Sequence, residues 1–235
     1  MIPPFQPAKG MEGATLRYRP RRLIGTDKSI DRLRQVIRQF VLHHDGCMNS
    51  KMCMQVLHNE RGLSVHFLID NDGTIYQTLD LVDCGFQAAG VNEVSIGVEL
   101  ANRGDAARFP NLYGGKRDQA ASTIHKHPFL VYEYTKEQQE AMVASGRALA
   151  RIFPNLPQTY PEENGEQLWT AMADPREFTG YLGHYHVTDQ KWDPGPFDFK
   201  KFVTNIRSRS FFPIVPSGEK PELPDSADKV EDIAN

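Results

Sequence analysis

Val65-His-Phe-Leu-Ile-Asp-Asn-Asp-Gly-Thr-Ile-Tyr-Gln-Thr-Leu79 decides the fold class. Two β-prone runs, residues 65–70 and 74–79, flank Asn71-Asp-Gly73, and an Asp-Gly pair between such runs predicts a hairpin. Upstream, Phe40-Val-Leu-His43 has the apolar, β-prone character of a buried strand, entered from a helical turn that begins at Ser29. Downstream, Ser95-Ile-Gly-Val-Glu-Leu100 is another interior strand, with Glu99 in apolar company. Residues 50–60 suit a helix that Arg61-Gly62 would end. A further helix starts at Thr135, where Thr135-Lys-Glu-Gln138 has the form of a capping box. Met142, Leu149, Ile152 and Phe153 share one face of it, and Pro154 follows its end. Residues 197–206 read as an amphipathic helix. Strand, helix, hairpin, strand, helix, loop and helix predict a mixed α/β (α+β) fold, a central mixed β-sheet flanked by helices in a single domain.

Length and composition bound the rest. A chain of 235 residues fits one domain with insertions, and it buries enough core not to depend on disulfides or metal for stability. Net charge is −3 and the only basic run is Arg17 to Arg22, which argues against a nucleic-acid partner. No apolar run approaches the roughly 18 residues of a membrane span. Met1-Ile-Pro-Pro-Phe-Gln-Pro7 lacks the apolar stretch of a signal peptide, so export would need a signal not visible here or another route. The expected organisation is an extended lead over residues 1–25, a domain over 26–212, and a mobile tail rich in proline and acidic residues over 213–235. Two polar insertions are expected inside the domain, at about 102–134 and 154–180. Cys47, Cys53 and Cys84 suit reducing or oxidising compartments, and Cys47 and Cys53 are close enough in sequence to bridge around a small loop.

The chemistry concentrates in Gly183-His-Tyr-His-Val-Thr-Asp-Gln-Lys-Trp-Asp-Pro-Gly-Pro196. Its prolines predict a stiff, irregular loop, and histidine and carboxylate on such a loop are ligands for a first-row metal. The natural partner is the His43-His44 pair at the end of a strand. Adjacent strand residues point to opposite faces, so one histidine of each pair can face a common site. Glu99 has two readings: a carboxylate paired or turned to solvent, or a general base tuned by burial beside a metal. Lys191 is a solvated surface charge unless an anion binds or forms next to it.

Four blocks together carry a resemblance: Val41-Leu-His-His44, His66–Tyr76, Asn92–Glu99 and Gly183–Pro196. In this order they resemble the zinc-dependent N-acetylmuramoyl-L-alanine amidases, the family shared with phage amidase lysozymes and peptidoglycan recognition proteins. The resemblance covers about residues 37–100 and 136–207. It implies that His43, His184 and Asp193 bind Zn2+, that Glu99 is the catalytic glutamate and that Lys191 stabilises the oxyanion. It also implies substrate contacts at His66 and Asn92, and it leaves His44 and His186 facing away. The recognition proteins' paired cysteines resemble Cys47 and Cys53, here closer to the first histidine. Two departures stand out: Val65 replaces a tyrosine common in relatives, and Phe86-Gln-Ala-Ala-Gly90 stands where Trp-His-Ala-Gly is often seen. The function expected from the resemblance is hydrolysis of the bond between N-acetylmuramic acid and L-alanine in peptidoglycan or muropeptides. A non-catalytic recognition protein and a secreted antibacterial amidase are the alternatives. The expected place is the periplasm, the cell envelope or outside the cell, with cytoplasmic recycling as a further option. Oligomeric state is left open.

Overall fold

A computed structural model describes residues 23–24 and 29–208. The lead, apart from Leu23 and Ile24, and the tail lie outside the described residues.

The first element is helix α1, Ile30–Val36, whose N-cap Ser29 side chain accepts from the Arg32 backbone N–H. It delivers the chain into β1, Gln39–His44, buried along nearly its whole length. Helix α2, Ser50–Gln55, continues as a wider π-helical turn over Val56–Arg61 and ends at Gly62, which has φ of 62°. The predicted hairpin is present as β2, Phe67–Ile69, and β3, Ile75–Gln77, paired antiparallel across the Asn71-Asp-Gly73 turn. Strand β4 covers Ser95–Leu100. Then come β5, Gln119–Ile124, and β6, His127–Tyr132, which pair as a separate hairpin inside the stretch expected to be an irregular insertion. Helix α3, Lys136–Ile152, starts with both hydrogen bonds of the capping box between Thr135 and Gln138. A short pair, β7 at Glu162–Glu163 and β8 at Glu166–Gln167, precedes β9, Gly180–Gly183. The chain then makes the single helical turn α4, His184–Val187, and closes with α5, Phe199–Arg207.

The main sheet is mixed, in the order β3-β2-β4-β1-β9. Three of its four pairings are parallel, joining β2, β4, β1 and β9, and the edge strand β3 alone pairs antiparallel, with β2. On β1, Phe40 and Leu42 join the larger core, which contains Met142, Leu149, Phe199 and Phe202 of α3 and α5. Val41 points the other way, into a smaller cluster with Val91, Leu182 and Val187. This strict alternation puts His43 on the Val41 face and His44 on the other. Each fully buried Leu or Phe of these clusters contributes about 1.5–3 kcal/mol relative to exposure. Parallel strands share a direction, so their C-terminal ends gather at one edge, the usual place for a site in such sheets. At that edge His43 lies opposite Glu99, and Leu42 lies opposite Gly183, directly before His184.

Candidate metal centre

Three side chains converge at this edge. His43 Nδ1 lies 3.1 Å from His184 Nδ1 and 2.9 Å from Asp193 Oδ2, and His184 Nδ1 lies 3.1 Å from the same oxygen. All three residues are at most 9% exposed. Strand β1 aims His43, and the first residue of α4 aims His184. Asp193 is carried back by the loop that follows, whose Asp193 carbonyl accepts from the Tyr185 N–H at 3.1 Å. Gly183 makes this close approach possible, since a Cβ there would lie 2.5 Å from Pro194 Cδ. Tyr134 completes the brace by donating its hydroxyl to the Pro194 carbonyl at 2.8 Å.

Three lone-pair-bearing atoms facing one point repel unless something positive lies between them. A proton satisfies two of them; a divalent cation satisfies all three. Two imidazole nitrogens and a carboxylate oxygen are a donor set that fits zinc, and three protein ligands leave a further coordination position open for catalysis. The electrostatics agree. Burial pushes the Asp193 carboxyl up, but His184 and His43 outweigh it and hold the group well below the usual carboxylate range. Burial lowers the His184 pKa. In His43 burial also pulls down, but Glu99 and Asp193 together raise it.

Glu99 sits beside this cluster at the end of β4, half-buried, with its Oε2 sealed from solvent and unpartnered among the described residues. Burial is the main reason its pKa rises to about 7, with His43 pulling it down and Asp193 pushing it up. That value suits a group that must both take and give a proton near neutrality. Lys191 is exposed at the rim, and its charge is felt at both Glu99 and His184.

The structure corrects several expectations. The Gly183–Pro196 stretch is not irregular throughout, because His184 and His186 belong to one helical turn. Residues two apart on a helix diverge by about 200°, which turns His186 inward instead of alternating it as a strand would. His186 accepts from the Gly183 N–H at Nδ1 and donates from Nε2 to the Leu168 carbonyl. His66 is 0% exposed, with both ring nitrogens engaged by the backbone: its Nδ1 accepts from the Gly97 N–H while Nε2 donates to the Asp83 carbonyl. Asn92 spends its Oδ1 on the backbone N–H groups of Gln87 and Ala88, a bracing role. Cys47 and Cys53 are unbridged thiols. Cys53 donates to Cys47, which lowers the Cys47 pKa and raises its own. His44 faces away from His43 as expected and packs 4.4 Å from the Trp192 ring. Sequence reasoning missed Gln87, whose Oε1 lies 2.6 Å from His43 Nε2. The only sequence signal was that this position departs from the family pattern.

The two structural histidines carry a pH prediction. Burial pushes His66 down to about 4 and His186 down to about 3. Unfolded, each titrates near 6.5, so between that pH and the folded value the unfolded chain binds protons that the fold refuses. Their stabilising effect is complete above about 6.5 and is lost as pH falls, on the order of 2 kcal/mol each by pH 5. Urea unfolding with chelator present should show a smaller loss between pH 7 and 5 for His186→Leu than for wild type, whatever the variant's absolute stability. An unchanged difference would show that His186 is not held neutral.

A family model described as N-acetylmuramoyl-L-alanine amidase matches residues 33–196. Comparison with curated proteins returns no match. Among solved structures, the chain is similar to the N-acetylmuramoyl-L-alanine amidase LysC from Clostridium intestinale URNW, at 19% identity over 74% of this chain and 87% of that one, with a TM-score of 0.46. A selenomethionine derivative of AmpD matches at 18% identity over 74% of this chain and 86% of that one, with a TM-score of 0.47. The Ph2119 endolysin from Thermus scotoductus MAT2119 bacteriophage Ph2119 matches at 16% identity over 85% and 92% of the two chains, with a TM-score of 0.45.

Proposed function

From the premise that this chain belongs to the N-acetylmuramoyl-L-alanine amidase family, we propose that it hydrolyses the amide between N-acetylmuramic acid and L-alanine in peptidoglycan, using a zinc ion held by His43, His184 and Asp193. The observation that carries the proposal is the convergence of these three ligand atoms within 4.8 Å of one another, with Glu99 paired to His43 in the adjacent strand. Zinc, when bound, polarises the scissile carbonyl and lowers the pKa of the attacking water toward about 7. Glu99 takes a proton from that water and passes it to the departing L-alanine nitrogen. Lys191, at the rim, stabilises the oxygen that gains negative charge, help that can reach about 3 kcal/mol per donor. Lys191 is exposed before substrate arrives, and covering it with the glycopeptide would strengthen its attraction for that oxygen.

A protein that only recognised peptidoglycan would have no use for a half-buried carboxylate of raised pKa beside three metal ligands. That favours turnover over binding alone. The site of action we propose is the bacterial cell wall. No helix among the described residues is long and apolar enough to cross a membrane.

Digestion of purified sacculi, followed by mass spectrometry of the products, tests the bond specificity. The expected products are stem peptides with free L-alanine amino termini and glycan strands stripped of peptide. Cleavage within the stem peptide or between sugars would overturn it.

A further inference from the structure

A histidine ligand needs both ring nitrogens managed: one aimed at the metal, the other held. In His43 the metal-facing atom is Nδ1, and the far atom, Nε2, lies 2.6 Å from Gln87 Oε1. With Nδ1 engaged, the ring proton sits on Nε2 and donates to Gln87. The other end of the same amide, Nε2, donates to Ser95 Oγ at 3.0 Å, which sets the direction of the side chain. Its backbone is pinned as well, because Asn92 Oδ1 accepts from the N–H groups of Gln87 at 3.1 Å and Ala88 at 2.8 Å.

The sheet is shaped around this contact. Ser95, Gly97 and Glu99 alternate onto the face of β4 that His43 shares on β1, since Gln39, Val41 and His43 lie opposite them in register. Ser95 anchors the amide. Gly97 makes room for it, because a Cβ there would lie 2.0 Å from Gln87 Oε1. Any residue other than glycine at position 97 would expel the amide or displace the strand. One strand face thus supplies the anchor, the opening and the carboxylate of the site.

We propose that Gln87 is the positioning residue of the metal centre, holding His43 with its proton on Nε2 and its Nδ1 lone pair on the metal. This rests on the metal reading given above. A carboxamide accepts the hydrogen bond and cannot take the proton, so the ring remains a neutral imidazole donor. A carboxylate in its place would make the ring more basic and a stronger ligand.

Zinc affinity, measured by competition with a chromogenic chelator, provides the test. Gln87→Leu, which has similar bulk and no acceptor, should bind zinc about 10–100-fold more weakly. Gln87→Glu should bind as tightly as wild type or more so, which a merely structural role would not produce. Zinc binding by Gln87→Leu as tight as wild type, or equal weakening in both variants, would overturn the proposal. The zinc-loaded wild type offers a test that does not depend on any variant folding. Long-range proton–nitrogen spectra should place the His43 proton on Nε2, protected from solvent exchange; a proton on Nδ1 would overturn the assignment. Wild-type protein that takes up no zinc, or His184→Ala that takes it up unchanged, would overturn the metal centre itself and this proposal with it. Normal zinc uptake that is indifferent to Gln87 would overturn this proposal alone.

Discussion

Replacing Glu99 by glutamine is expected to lower turnover on peptidoglycan by about 10²–10⁴-fold while zinc content stays at the wild-type level. Glutamine keeps the size and hydrogen-bonding reach of glutamate and loses only the ability to carry a proton. The substitution should not weaken the fold. In the native chain Oε2 of Glu99 is sealed from water without a partner among the described residues, an arrangement that costs on the order of 1–3 kcal/mol. Burial also makes the charged form unfavourable, as the rise of its pKa to about 7 reflects. A neutral amide relieves part of this penalty, so the urea midpoint of Glu99→Gln at pH 7 should equal or exceed that of wild type. Steady-state digestion of sacculi and urea unfolding, run on one preparation, check both halves. Wild-type turnover in Glu99→Gln would remove the glutamate from the mechanism. A loss of turnover accompanied by a loss of zinc or of fold would reassign it to structure.

Asp193→Ala should abolish stable zinc binding, with content falling from about one equivalent in wild type toward zero after dialysis. Asp193 Oδ2 is the atom that both histidine nitrogens face, and it is the sole anionic ligand of the three. The effect extends to stability, because an ion that binds only the folded chain adds about 4 kcal/mol at a thousand times its dissociation constant. Zinc should therefore raise the thermal midpoint of wild type and leave that of Asp193→Ala unmoved. Metal analysis and a thermal melt with and without added zinc measure this. Full activity in protein stripped of metal would be fatal to the zinc mechanism.

Much of this was legible in the sequence because it rests on local rules. The Asp-Gly turn between Phe67–Ile69 and Ile75–Gln77 formed as its two flanking runs required. The Thr135–Gln138 capping box made both of its hydrogen bonds. The β5–β6 hairpin was missed because Gln119-Ala-Ala-Ser-Thr-Ile124 is small and polar, without a clear alternation of apolar residues. It is held by pairing with His127–Tyr132 and by an isolated bridge from Asp105 to Val131, and neither contact has a signature within a short window of residues.

The candidate site divides the same way. The sequence by itself singled out the candidates, since His43, Glu99, His184, Lys191 and Asp193 stand in the blocks that resemble the amidase family. Only the tertiary structure decided which atoms face one another. The parallel pairing of β1 with β4 and β9 sets Glu99 beside His43 and His184 across from it. The helical turn at His184–Val187 sends His186 into the core, and burial claims both nitrogens of His66 for backbone groups. Gln87, 44 positions from His43 along the chain, reaches it only because Gly97 leaves an opening in the strand between them. Local propensity acts over a few residues and can announce a ligand. The direction in which that ligand points is set by strands and loops from distant parts of the chain, whose mutual packing no short stretch encodes.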